Sequence, residues 1–99
     1  MKHADNLFIE KDQFFDFFKE QYHIYFNSNI FLRDILYSVR RYFEKKGEIL
    51  SYSDAEKITN EFTQKLESEN LLLRLDNNSW RVNFMKPESV VEELKEVTE

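Results

Sequence analysis

The stretch that decides the fold is Leu71–Phe84, LLLRLDNNSWRVNF, which predicts two short strands around a turn. A turn at Asn77-Asn78 and a four-residue loop of Asp76–Ser79 predict the same register. In that register three apolar pairs share one face, which must cover the rest of the molecule: Leu75 with Trp80, Leu73 with Val82, and Leu71 with Phe84.

The same register predicts that Arg74 and Arg81 are direct neighbours on the opposite, open face. Like charges opposite each other on a sheet cost up to about 1 kcal/mol. Two interpretations stay open at this point. Either the guanidinium groups splay into water, or they form a clamp for an anion, which would be a phosphate or an acidic side chain.

Composition bounds the class of protein. The chain has 99 residues with ten phenylalanines, no cysteine and a net charge of −5, which indicates a single globular domain, 1–99, without disulfides or a thiolate metal site. The N-terminus MKHADNLFIE lacks the apolar run of a signal peptide, and no stretch reaches the ~18 apolar residues of a membrane span. We therefore expect a cytoplasmic protein that makes no membrane contact.

The domain divides into three stretches. Residues 1–10 are expected to be a flexible start, and residues 11–84 a helical body with the hairpin. Residues 85–99 contain two lysines and five glutamates, hence a net charge of −3, and form an acidic amphipathic tail. Within it Pro87 suits the first position of a helix, and an apolar stripe follows: Val90, Val91, Leu94 and Val97.

A first helix is predicted from Lys11 to Tyr25, with an apolar arc of about half its circumference, broader than the ~100° of an ordinary surface helix. Either this helix packs against two neighbours, or part of the arc faces another chain. We expect a homodimer, with Phe15, Phe17 and Tyr22 as the dimer or partner face.

Two more helices follow. Ile30–Lys46 is amphipathic and ends at Gly47, the single glycine, as a left-handed residue. Residues 48–50 could form a short strand. Ser53 and Glu56 form a capping box for a third helix that reaches about Glu69. The predicted core comprises nine residues: Phe31, Ile35, Val39, Phe43, Phe62, Leu66, Leu73, Trp80 and Val82.

The predicted fold class is mainly α with one β-hairpin (α+β). Three helices followed directly by a hairpin resemble a winged-helix domain over about Ile30 to Phe84. The resemblance implies that Glu56–Glu69 is the recognition helix and Leu71–Phe84 the wing. Because Gly47–Ser53 leaves no room for a separate short helix, either the helix before it takes that place or the winged helix is degenerate.

The sequence contains no glycine-rich phosphate loop and no histidine or carboxylate cluster with metal-ligand spacing, so we expect a non-enzyme without cofactor or metal. Partner or anion binding is predicted for side chains of the wing, of the third helix and of the second helix: Arg74, Arg81, Lys57, Asn60, Gln64, Arg33, Tyr37 and Arg40.

These side chains suit nucleic acid, but Glu56, Glu61 and Glu67 share the third helix and would repel phosphates. The favoured function is therefore a small interaction or regulatory module that binds another protein, as a compact inhibitor carried by a phage or mobile element does. The alternative is a winged-helix transcriptional regulator that binds DNA.

Overall fold

The computed structural model describes residues 3–84. Within this range the chain is an α+β domain of four helices and one small antiparallel sheet. The elements follow one another as α1 (His3–Ile9), α2 (Lys11–Lys19), β1 (Asn29–Phe31), α3 (Leu32–Lys45), α4 (Tyr52–Ser68), β2 (Leu72–Asp76) and β3 (Ser79–Val82). The tail helix predicted at Pro87–Val97 lies outside the described residues.

Helix α1 occupies the stretch that was expected to be a flexible start. Its Ala4 and Leu7 are buried, and the ring of His3 lies edge-on to Phe43 with 5.2 Å between ring centroids. A seven-residue helix is too short to be stable alone, and α1 depends on the neighbours that Ala4, Leu7 and Phe8 meet in the fold, so local sequence did not indicate it.

Helix α2 is shorter than predicted, since it ends at Lys19 rather than at Tyr25. Asn27 takes a left-handed conformation with φ of 72°, and its N–H donates to the carbonyl of Val82 at 2.8 Å. The chain therefore leaves the helix to reach the sheet. A pattern of rings at helical spacing could not reveal this long-range pairing.

Strand β1 replaces the predicted start of the second helix. Ile30 pairs with Trp80, and Phe31 pairs with Ser79, so α3 begins at Leu32. The sheet has the order β1-β3-β2, with β3 in the centre. A three-residue strand such as β1 is held mainly by its partner, which explains why local sequence did not indicate it.

The connection from α3 to α4 agrees with the predicted end of α3 but not with the predicted start of α4. Gly47 ends α3 with φ of 92°, as predicted. The strand considered at residues 48–50 is absent from this part of the structure. The predicted capping box is wrong by two residues, because α4 begins at Tyr52 and its cap is Ser51, whose Oγ accepts a hydrogen bond from the N–H of Asp54 at 3.1 Å.

The turn at Asn77-Asn78 is confirmed, but the predicted strand register is wrong. Asp76 and Ser79 pair at the turn, and the N–H of Asn78 donates to Oδ1 of Asp76 at 2.8 Å. That backbone hydrogen bond is the main cause that lowers the pKa of Asp76. Leu75 is then an extra residue, a bulge.

Because of the bulge, every pair beyond it is shifted by one residue. Leu72 pairs with Val82, Leu73 with Arg81, and Arg74 with Trp80. A shift of one residue moves a side chain to the other face of the sheet, so Leu73 points away from the helices and is 41% exposed. The predicted burial of Leu73 is therefore wrong, and so is that of Phe31.

The other seven predicted core residues are buried. The centre of the core is aromatic. The ring centroid of Phe14 lies 5.4 Å from that of Phe62 and 5.5 Å from that of Tyr42, both in edge-to-face geometry. Such ring pairs stabilise the fold beyond the effect of the apolar area that they bury. Helix α4 supplies the predicted stripe of Ala55, Ile58, Phe62 and Leu66. No helix within residues 3–84 has the length and apolarity needed to cross a membrane.

Candidate functional site

The predicted pairing of Arg74 with Arg81 across the strands is wrong. Arg74 shares the inner face of the sheet with Trp80, and its guanidinium lies 5.0 Å from the indole. Its Nε donates to Oε1 of Glu67 at 2.6 Å, and its Nη1 donates to the carbonyls of Asp76 and Asn77 at 3.0 and 3.3 Å. This arginine is committed to holding the hairpin on α4.

Arg81 lies on the opposite, outer face of the sheet, in one row with Leu73 of β2 and Asn29 of β1. It is exposed and makes no ion pair with any residue of 3–84. Cross-strand repulsion between the two arginines is thus avoided by the register itself. Neither interpretation of the arginine pair, solvated guanidinium groups or an anion clamp, applies, because Arg74 and Arg81 lie on opposite faces of the sheet.

The polar side of α4 is acidic. Lys57, Asn60 and Gln64 are exposed, as expected for a contact surface. Yet Lys57 lines a cavity of about 310 Å³ together with carboxylates from α4 and from the preceding loop: Glu48, Asp54 and Glu61. Helix α4 contains four carboxylates, counting Asp54, Glu56, Glu61 and Glu67, against Lys57 and Lys65, which gives a net charge of −2.

The outer side of α3 has the opposite character. Arg33, Tyr37 and Arg40, which we call the α3 ridge, are exposed at i, i+4 and i+7, the spacing that aligns side chains along a helix. Neither arginine of the ridge makes an ion pair within residues 3–84. The structure therefore brings together these three of the eight predicted contact residues.

Two further residues extend the α3 ridge, and neither was among the predicted contact residues: Arg41 and Ile49. Arg41 lies 5.7 Å from the ring of Tyr37 and donates from Nη1 to its hydroxyl at 3.5 Å. Ile49 is 83% exposed and lines a groove of about 320 Å³ with Tyr37, Arg40, Arg41 and one carboxylate, Glu44. An apolar residue two positions after Gly47, beside a helix end, was the available signal.

The aromatic rings proposed as a dimer face are packed within the chain. Phe15 is 5% exposed, and its ring centroid lies 4.8 Å from that of Phe84. Phe17 and Tyr22 are partly buried against the core, and burial raises the pKa of Tyr22. The homodimer thus loses the surface from which it was predicted, and the oligomeric state stays a prediction.

A hydrogen-bond network near the N-terminus is structural. Glu10 accepts from the hydroxyl of Tyr42 at 2.7 Å and pairs with Lys46. The hydrogen bond from Lys46 is the main cause that holds the pKa of Glu10 below its ordinary value, and it raises the pKa of Lys46. The network ties α2 to the end of α3.

Metal binding has no support within residues 3–84, where no three His, Asp or Glu side chains are grouped to hold an ion. The described residues also include an exposed basic surface, the α3 ridge with its groove, on a domain whose α4 is acidic. Comparison with protein-family models, with curated proteins and with solved structures finds no match for this chain.

Proposed function

We propose that this chain is a non-enzymatic protein-interaction module that binds an acidic surface of a partner protein through the α3 ridge. The observation that carries the proposal is that Arg33 and Arg40, on either side of the exposed ring of Tyr37, make no ion pair with any residue of 3–84. Arginine and tyrosine are enriched among the residues that dominate the energy of protein interfaces.

The groove beside the ridge supplies the apolar part of such an interface. Ile49 and the Tyr37 ring would be desolvated by a partner, while Arg40 and Arg41 at the same groove would meet its carboxylates. Arginine suits this role because its planar guanidinium binds a carboxylate with two parallel hydrogen bonds. An acidic segment with one or two apolar side chains fits this chemistry.

Charge argues against a duplex as the partner. Residues 3–84 contain eleven lysines and arginines and fourteen acidic residues, which leaves a net charge of −3, and helix α4 alone contributes −2. Much of the affinity for DNA comes from counterions released when basic side chains contact phosphates. With Arg74 committed to Glu67, the hairpin keeps one arginine for such contacts.

A winged-helix-like fold is part of the proposal. It is supported by two successive helices, α3 and α4, followed at once by the hairpin of β2 and β3, with α1 and α2 ahead of them. This arrangement is also compatible with the alternative of a DNA-binding regulator, whose recognition helix would be α4. A regulator or inhibitor that acts on a nucleic-acid-binding protein would present its α3 ridge to that protein's acidic side.

The test compares two double charge reversals in the full chain. Arg33→Glu with Arg40→Glu removes the ridge, whereas Lys11→Glu with Lys19→Glu, both on α2, is a control with the same change of charge. Affinity capture from lysate, with nuclease present, should yield a partner with the parent and the control but not with the ridge variant.

A second arm measures duplex DNA binding by the parent at physiological salt, where we expect negligible affinity. Tight binding that weakens steeply with salt would contradict the proposal and favour the DNA-binding alternative. Replacing Arg74 and Arg81 together would not decide the question, because Arg74 is needed to hold the hairpin.

A further inference from the structure

The outer face of the sheet exposes two large apolar side chains beside polar ones. We use this name for the residues that the register places away from the helices: Asn29, Phe31, Leu73, Ser79 and Arg81, of which Ser79 is buried. Phe31 is 50% exposed and Leu73 is 41% exposed, and the bulge residue Leu75 beside them is exposed as well. On the opposite face Ile30, Leu72, Trp80 and Val82 are buried.

Strand β2 carries apolar side chains on both faces of the sheet. An antiparallel strand with one solvated face alternates apolar and polar residues. β2 departs from that alternation, because Leu72 faces the helices and the next residue, Leu73, faces outward. A cover over Leu73 would remove this apolar surface from water.

The segment that can supply this cover begins right after the central strand. β3 ends at Val82, and Phe84 is fixed against Phe15 at 4.8 Å. Fifteen residues, 85–99, then follow outside the described range. A helix from Pro87 to Val97 would be about 16 Å long at 1.5 Å per residue, and a five-residue strand spans about 17 Å, so the helix would match the length of the sheet.

Charge also selects this segment. Arg81 stands in the middle strand of the outer face without an ion pair in residues 3–84, and residues 85–99 carry five glutamates. A second copy would be a poorer cover, because a two-fold interface sets a patch against itself. Within the three strands the acidic residue is Asp76, and it already accepts hydrogen bonds from Asn78 and Ser79.

We propose that Pro87–Val97 folds back as a helix that lays Val90, Val91, Leu94 and Val97 on the outer face of the sheet, with a glutamate of the segment paired to Arg81. The sheet then becomes the middle of three layers. The acidic tail is held on the sheet and leaves the α3 ridge open, so this inference stands independently of the proposed partner.

Disulfide trapping in the full chain tests the proposal. Because the sequence contains no cysteine, the two introduced thiols are the only ones that can react. The test variant combines Leu73→Cys with Leu94→Cys, and the matched control combines Tyr37→Cys with Leu94→Cys. Under mild oxidation we expect an intramolecular disulfide at least tenfold faster in the first variant. Equal rates would overturn the proposal, and so would a disulfide between two molecules, which would assign the face to a second copy.

Hydrogen exchange supplies an arm that needs no cysteine. Amides of residues 91–97 should be protected in the parent, and Arg81→Glu should lower that protection at least tenfold while Arg33→Glu leaves it unchanged. The fluorescence of Trp80, which is buried on the other face, checks that each variant is folded. Unprotected amides in the folded parent would overturn the proposal.

Discussion

The carboxylate of Glu67 holds the hairpin on α4, and removing it should be costly. Its Oε1 accepts hydrogen bonds from Nε1 of Trp80 at 2.7 Å and from Nε of Arg74 at 2.6 Å. Trp80 is 1% exposed, so Glu67→Ala leaves a buried indole N–H without an acceptor, which costs about 1–3 kcal/mol. The half-exposed ion pair adds about 0.2–1 kcal/mol. We expect the free energy of unfolding to fall by about 2 kcal/mol in total.

Urea unfolding followed by the fluorescence of the single tryptophan measures this loss. Glu67→Gln keeps an acceptor oxygen for the indole and should lose about 1 kcal/mol. Arg81→Ala, on the outer face, should change the free energy of unfolding by no more than about 0.5 kcal/mol. The reasoning is refuted if Glu67→Ala is neutral and Arg81→Ala stabilises, since that is the behaviour of two arginines set side by side.

Three further predictions concern single side chains. Ser51→Ala should lower the free energy of unfolding by about 1 kcal/mol, whereas Ser53→Ala should change it by less than about 0.5 kcal/mol; equal losses in urea unfolding would place the cap wrongly. The buried hydroxyl of Thr59 has no hydrogen-bond partner among residues 3–84, so Thr59→Val should stabilise by up to about 1 kcal/mol in the same assay, and a loss of stability would indicate a hydrogen bond to Thr59. The pKa of Glu10 is lowered from 4.5, so its contribution to the stability of the folded state is present above pH 4.5 and lost as pH falls below it. Glu10→Gln should therefore flatten the acid side of a plot of Tm against pH. An unchanged acid side would show that the pair of Glu10 with Lys46 does not cause the loss of stability in acid.

Sequence was most informative where a structure is local. The stripe of α4 from Ala55 to Leu66 is confirmed because residues at i, i+3 and i+4 of one helix share a face whatever else the chain does. Gly47 ends α3 as predicted, because a left-handed residue after a helix favours glycine. These features depend on a few neighbouring residues.

The features that sequence did not predict depend on partners far along the chain. Strand β1 exists because Ile30 pairs with Trp80, and helix α2 stops early because Asn27 must reach Val82. An apolar pair such as Ile30-Phe31 fits the start of a helix as well as a strand. Only the pairing with β3, fifty residues away, decides between them.

A single residue, Leu75, made the predicted positions of the hairpin arginines wrong. Alternation predicted the hairpin and its turn, but the bulge at Leu75 moved Leu73 outward and Arg74 inward. A signal was present in the run LLLRL, because a run without alternation does not define a single register. The α3 ridge survived because its side chains share a helix, so no strand pairing enters its prediction.

The bulge at Leu75 also bears on how a partner can approach. It turns Arg74 inward, where Glu67 and Trp80 engage it, and leaves Arg81 on the outer face of the sheet. If the acidic tail covers that face, Arg81 is neutralised within the chain. The accessible arginines are then those of the α3 ridge, next to an acidic α4. A long polyanion such as a duplex would meet the carboxylates of α4 along with the ridge, whereas a short acidic segment could fill the groove at Tyr37 and Ile49 alone. The distribution of charge therefore favours a compact protein contact over a nucleic acid.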